Sequence, residues 1–169
     1  INVAGDLKGN YVQIDWANKE VVSNLTQFTI EMLLNGDLLS NPSQSHSIIG
    51  IEGYFCIRTS PWSKSNDEDK CKFEICTPSG GTGGMFSYIL PKNTWTALSF
   101  QIDVPAKKSN LYVNGEKYET INTDFGMSAL TFPDREKNTG LAGNPAQNEF
   151  YIGRLYENTR LYDGLISEV

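Results

Sequence analysis

The chain reads as an all-β protein, a sandwich of two antiparallel sheets, and three observations predict this. Apolar residues alternate with polar ones through most of the 169 residues, as in Phe28, Ile30, Met32 and Leu34 or Leu98, Phe100, Ile102 and Val104. A strand turns successive side chains to opposite faces, so this period buries one face of each strand. Turn signals rich in Gly, Pro, Asn and Ser recur between these runs, while amphipathic helical spacing is nearly absent. About ten to thirteen short strands at such spacing form a sandwich or barrel.

The elements follow in order. Tyr11 to Ile14 opens the series, and 18–25 is a connection with room for one helical turn. In TQFTIEMLLN, Phe28, Ile30, Met32 and Leu34 point one way and Thr29, Glu31 and Leu33 the other. LSNPSQSHS is a loop, and Ser47 to Glu52 and Gly53 to Thr59 are two strands. Residues 60–70, SPWSKSNDEDK, make a long polar loop with one exposed tryptophan, Trp62. Lys72 to Thr77 is the next strand. The run SGGTGG at 79–84 is expected to be a flexible hairpin loop, because it lacks the Lys-Ser/Thr pair and the helix of a phosphate loop.

The strand MFSYIL and a turn at 91–94 then lead into WTALSFQIDV, whose first residue, Trp95, is assigned to the core. NLYVN and EKYETI enclose Asn114-Gly115, the pair favoured in type I′ hairpin turns because both central residues take positive φ. Residues 123–147 are the least regular stretch. In Phe150 to Val169, FYIGRL and YDGLISEV flank the polar turn ENTR and read as a closing hairpin. Gly153 and Gly164 within it mark a bulge or a close backbone approach.

Residues 1–169 are expected to form one domain, with core enough to stand without a metal or disulfide. No apolar run approaches the roughly 18 residues of a membrane span. The net charge of −6, with acids and bases interspersed, argues against a nucleic-acid partner, which calls for clustered Lys and Arg. The chain opens at Ile1 with neither an initiator Met nor a signal peptide, so it is expected to be a piece of a longer protein with other domains. Cys56, Cys71 and Cys76 are expected to be buried thiols. Cys71 and Cys76, five apart, fall on opposite faces of a strand, while Cys56 can meet either across a hairpin. With no CxxC and His46 as the single histidine, there is no zinc set.

FTIEMLL, NTWTALSFQID, LYVNGE and FYIGR with YDGLISEV resemble, in that order and across essentially the whole chain, the concanavalin A-like lectin/glucanase superfamily. The likeness is to its laminin-G-like jelly rolls, which show an FTIE-like strand, a WTH-type strand, a YVNG hairpin and a closing GxIDEV. GNYVQIDW and GIEGYFCIR look more like domains of bacterial surface glycan-utilisation lipoproteins. The chain departs from the pattern at Leu33, where the family usually has Trp, and at Ser167, where it has Asp. The resemblance implies a two-sheet antiparallel jelly-roll sandwich, a glycan partner and a place outside the cell or on a bacterial outer surface. Calcium is a possible cofactor that the Ser167 departure puts in question.

A fold of this kind hosts lectins, hydrolases and spacers alike, so the sites are read separately. Glycoside hydrolysis needs two carboxyls about 5–9.5 Å apart. Glu31, Asp37, Glu74 and Asp103 form no such pair by spacing and read as solvated acids on strand faces. The expectation is a protein that is not an enzyme. Sugar binding needs an aromatic platform and a few polar groups for hydroxyls. Trp62 with Asp67, the cluster Tyr156, Asn158 and Arg160, and Tyr112 with Gln101 and Asp103 on the face away from the core are the candidates. For calcium the hard oxygen ligands on offer are Asp6, Asp15, Asp163 and Glu168, near the chain ends. A sugar-binding domain predicts exposed aromatics converging on one patch. A structural or protein-interaction module, the alternative, predicts them scattered.

Overall fold

The computed structural model describes residues 5–6, 11–14, 24–36, 45–51, 54–60, 72–77, 82–130, 150–154, 161–162 and 164–169. The strands are β1 (Gly5–Asp6), β2 (Val12–Ile14), β3 (Gln27–Gly36), β4 (Ser47–Ile51), β5 (Phe55–Ser60), β6 (Lys72–Cys76), β7 (Thr82–Ile89), β8 (Thr96–Asp103), β9 (Lys108–Val113), β10 (Glu116–Asn122), β11 (Phe150–Ile152) and β12 (Gly164–Glu168). They form two six-stranded sheets, β1-β12-β3-β8-β9-β10 and β2-β11-β4-β5-β6-β7, in which every strand pair is antiparallel. The described residues contain no helix, and the arrangement is the jelly-roll sandwich that the sequence predicts.

The alternation places the core between the sheets. Met32 and Leu34 of β3 and Leu98, Phe100 and Ile102 of β8 are buried from one side, Phe55, Ile57, Phe73, Ile75 and Phe86 from the other. Phe100 joins the layers, its ring edge-on to Phe73 at 5.8 Å and to Phe86 at 5.7 Å. Offset or edge-on rings place the positive rim of one against the negative face of the next, which adds to the gain from burial. Between β9 and β10, Asn114 and Gly115 have φ of 50° and 85°, as a type I′ turn requires.

Two expectations are corrected. Phe150 to Val169 is not a hairpin: β11 pairs with β2 and β4 in the second sheet, while β12 pairs with β1 and β3 in the first. The stretch therefore crosses the sandwich. Tyr162, fully buried, anchors the crossing through its N–H, which donates to the Gly153 carbonyl at 2.9 Å. Gly164 is a close approach: its φ is 153°, and a Cβ at this position would fall 2.3 Å from the Asn35 carbonyl oxygen. The glycine run is not all loop either: Gly83 and Gly84 lie in β7, where Gly84 pairs with Ile75. Residues 79–81, and all but Asn24 and Leu25 of the connection expected at 18–25, lie outside the described residues.

Candidate functional site

The face of the first sheet turned away from the core is built by the same alternation that builds the core. In β8, Thr96, Leu98, Phe100 and Ile102 go inward, so Ala97, Ser99, Gln101 and Asp103 face outward. In β3 the outward set is Gln27, Thr29, Glu31 and Leu33, and in β9 it is Asn110 and Tyr112. Register lines these into rungs. Thr29, Gln101, Asn110 and Thr120 make one; Glu31, Ser99, Tyr112 and Lys117 make the next.

Trp95 immediately precedes β8 and is exposed, which corrects its assignment to the core. It is 45% exposed, while its neighbour Thr96 is buried. The alternation that buries Thr96, Leu98, Phe100 and Ile102 begins with β8 at Thr96, and residues 91–95 before it are all exposed. The size and apolarity of tryptophan suggest the core, but a residue ahead of the strand is not bound by the strand's alternation.

Two shallow grooves run end to end along the β3–β8 pair. One, of about 370 Å³, is lined by polar groups of Gln27, Thr29, Gln101, Asp103 and Asn110. The other, of about 520 Å³, lies beside Glu31, Leu33, Ala97, Ser99, Gly115 and Val169 and is more apolar. The polar end is held in place by its own hydrogen bonds. Gln27 Nε2 donates to Asp103 Oδ2 at 2.7 Å, Asp103 Oδ1 accepts from the Ala106 N–H at 2.9 Å, and Thr120 Oγ1 donates to Asn110 Oδ1 at 2.6 Å. These bonds leave Gln27 Oε1 as an acceptor and Asn110 Nδ2 as a donor toward solvent.

The acids lining these grooves do not pair. Glu31 lies opposite Ser99, and Asp103 is four residues further along β8, a separation of about 13 Å at the rise of a strand. Glu74 departs from the expectation of a solvated acid. It lies on the outward face of the second sheet yet is fully buried, and it accepts hydrogen bonds from Arg58 Nε and, at 3.6 Å, from Cys76 Sγ. Burial alone pulls the Arg58 pKa down, but at the high pH where a guanidinium titrates the ionised Cys76, Cys56 and Glu74 outweigh it and the net shift is upward. Cys56 and Cys76 face each other across β5 and β6, and both are buried as expected.

Of the residues picked from sequence as ligand contacts, Tyr112 lies half-buried on the outward face of the first sheet, with Gln101 and Asp103. Trp62, Asp67, Tyr156, Asn158, Arg160 and Cys71 lie outside the described residues, as do Asp15 and Asp163 and the side chains of Asp6 and Glu168. The end strands do meet, with Asp6 opposite Leu165. Among the described residues no three His, Cys, Asp or Glu side chains come together as a metal site. The strongly exposed aromatics among them do not converge. Trp95 stands just before β8 of the first sheet, Tyr118 packs on Tyr88 at the β7–β10 edge, and Tyr11 packs on Tyr151 of the second sheet. There the Arg154 guanidinium lies 4.4 Å from the Tyr11 ring centre and 5.1 Å from that of Tyr151.

The sandwich is a fold shared with known lectin-like proteins. The chain superposes on a proposed carbohydrate-binding protein from Bacteroides ovatus with a TM-score of 0.66 and 25% identity, covering 98% of this chain and 42% of that one. It matches the heptameric SAP-like pentraxin of Limulus polyphemus with a TM-score of 0.57 and 12% identity over 86% of this chain and 63% of that one. It also matches the CBM40 module of the Ruminococcus gnavus IT-sialidase, solved with α2,3 sialyllactose, with a TM-score of 0.51 and 14% identity over 99% of this chain and 85% of that one. The chain thus spans less than half of the Bacteroides protein. No protein-family model and no curated protein matches the sequence.

Proposed function

We propose that this chain is a non-catalytic carbohydrate-binding domain that holds a glycan on the outward face of its first sheet. The observation that carries this reading is the outward row of β8 with its neighbours: Trp95 exposed at one end, Tyr112 beside the middle, and Gln101, Asn110 and Thr29 at the other. An exposed indole offers a surface for the C–H face of a sugar, and fixed amides and hydroxyls take its hydroxyl groups. The likeness to the Bacteroides ovatus protein supports the same reading. The absence of catalysis is supported by the placing of the groove acids Glu31 and Asp103 on different rungs, their backbones about 13 Å apart on strand geometry, where glycoside hydrolysis uses two carboxyls facing each other across the bond. We place the domain outside the cell, within a longer surface protein of laminin-G-like type, where weak binding is raised by neighbouring domains.

One observation favours a second reading. The three most exposed aromatics among the described residues lie on different parts of the surface, as in a module that spaces or docks other domains. A glycan-array screen, run with calcium and again with chelator, separates the two. Saturable binding to one sugar class, weakened for its longer members in Trp95→Ala and in Tyr112→Ala while both variants melt as the parent does, is the expected result. Loss with chelator alone adds calcium to the site. A blank array on folded protein sinks the sugar reading and leaves the docking module.

A further inference from the structure

We infer that the ligand of this face is an extended, uncharged oligosaccharide lying along β3 and β8, with several sugar units in contact at once; this rests on the carbohydrate-binding reading above. Three observations lead to it. First, the two grooves are neighbours along one strand pair: Thr29 and Gln101 line one, and Glu31 and Ser99, the next outward rung, line the other. From Trp95 to Gln101 the chain covers six residue steps, or about 20 Å at the rise of a strand. That is longer than a single sugar ring, so a monosaccharide touches only one end.

Second, the row changes character along its length. The end at Gln27, Gln101 and Asn110 is polar, with a fixed donor and acceptor. The end at Leu33 and Ala97 is apolar and open, and the exposed Trp95 lies two residues before Ala97 in the chain. A sugar chain meets both needs. One unit hydrogen-bonds through its hydroxyls, and a unit further along lays its apolar face on the indole.

Third, the charges lining the grooves are carboxylates, Glu31 and Asp103, and no Arg or Lys is among the described lining residues. Gln27 and the Ala106 N–H, which hold Asp103, carry no charge of their own. Lys108 is opposite Asp103 on the neighbouring β9, and Lys117 is opposite Tyr112 on β10, two strands from β8. A uronate or sialate carboxylate set down here would meet like charge with no guanidinium to fork onto it. The arginine held by aromatic rings, Arg154, is on the other sheet.

The test is calorimetric titration of the folded chain with linear glucose, xylose, mannose and galactose oligomers of two to six units, beside galacturonate oligomers of equal length. One neutral series is expected to bind with affinity rising through the shorter members and levelling once the row is filled. Trp95→Ala should weaken the six-unit member by roughly tenfold and leave the two-unit member within about twofold, whereas Gln101→Ala should weaken both. Equal affinity for the two-unit and six-unit members overturns the extended reading and leaves sugar binding standing. Preference for galacturonate, lost in Arg154→Ala and kept in Trp95→Ala, overturns it by moving the site to the second sheet. No binding in any series removes the carbohydrate reading and this inference together.

Discussion

Removing the Glu74 carboxylate should destabilise the fold more than removing any acid on the outward face of the first sheet. Glu74 is 0% exposed and accepts from Arg58, whose side chain is 16% exposed. In Glu74→Ala the guanidinium keeps its charge in a largely dry place and loses this partner, and the cost of breaking a buried pair from one side is about 3–5 kcal/mol. The partial exposure of Arg58 lets water relieve some of that, so the lower end, about 3 kcal/mol, is expected. With a urea slope of about 2 kcal/mol per molar, the unfolding midpoint should fall by about 1.5 M. The double variant Arg58→Met, Glu74→Leu should regain most of the loss, because an apolar pair of similar volume leaves no buried charge. A loss below about 1 kcal/mol in Glu74→Ala, or a double variant no more stable than the single, would refute the claim that the pair is a buried, mutually dependent one.

Further predictions rest on single positions. Gly164→Ala puts a Cβ 2.3 Å from the Asn35 carbonyl and 2.9 Å from Gly36 Cα, both backbone; thermal denaturation should show a loss of about 3 kcal/mol or more. Gly115→Ala meets no atom within 4 Å, so only its left-handed backbone is penalised and the loss should stay near about 1 kcal/mol. Burial raises the Tyr88 pKa above its ordinary value of 10.0, with the Thr96 hydrogen bond opposing and Tyr118 adding. A folded pKa above the unfolded one means that its stabilising contribution is whole below about pH 10 and is lost as pH rises through the folded value. Urea midpoints across the alkaline range should therefore fall less steeply in Tyr88→Phe than in the parent, and parallel slopes would count against the assignment. Trp95→Ala removes a half-exposed side chain and should leave the melting temperature within about a degree or two.

Much of this protein is legible in its residues one strand at a time. The period-two pattern of β3 and β8 names their inward residues, because a strand's geometry sends alternate side chains to opposite faces wherever the strand goes. Asn114-Gly115 names its turn for an equally local reason, the positive φ of both residues. The outward row that we read as the binding face is the complement of the same pattern. Gln101, Asp103 and Tyr112 are legible there, whereas the exposure of Trp95, just before β8, is not, because no strand alternation governs it.

Pairing was settled elsewhere. FYI and GLISE look alike as strands, and nothing local in either says which sheet it joins. Only contacts with β2 and β4 on one side and β1 and β3 on the other send them to different layers. Glu74 sits in a strand whose alternation would put an acid in water, yet it is buried against Cys76 and against Arg58, which the β5–β6 pairing brings opposite it. Which side of each strand is apolar was written in the order of the residues, since that depends on neighbours along the chain. Which strands share a sheet, and which outward faces stay open, emerged only on folding, since those depend on partners many residues away.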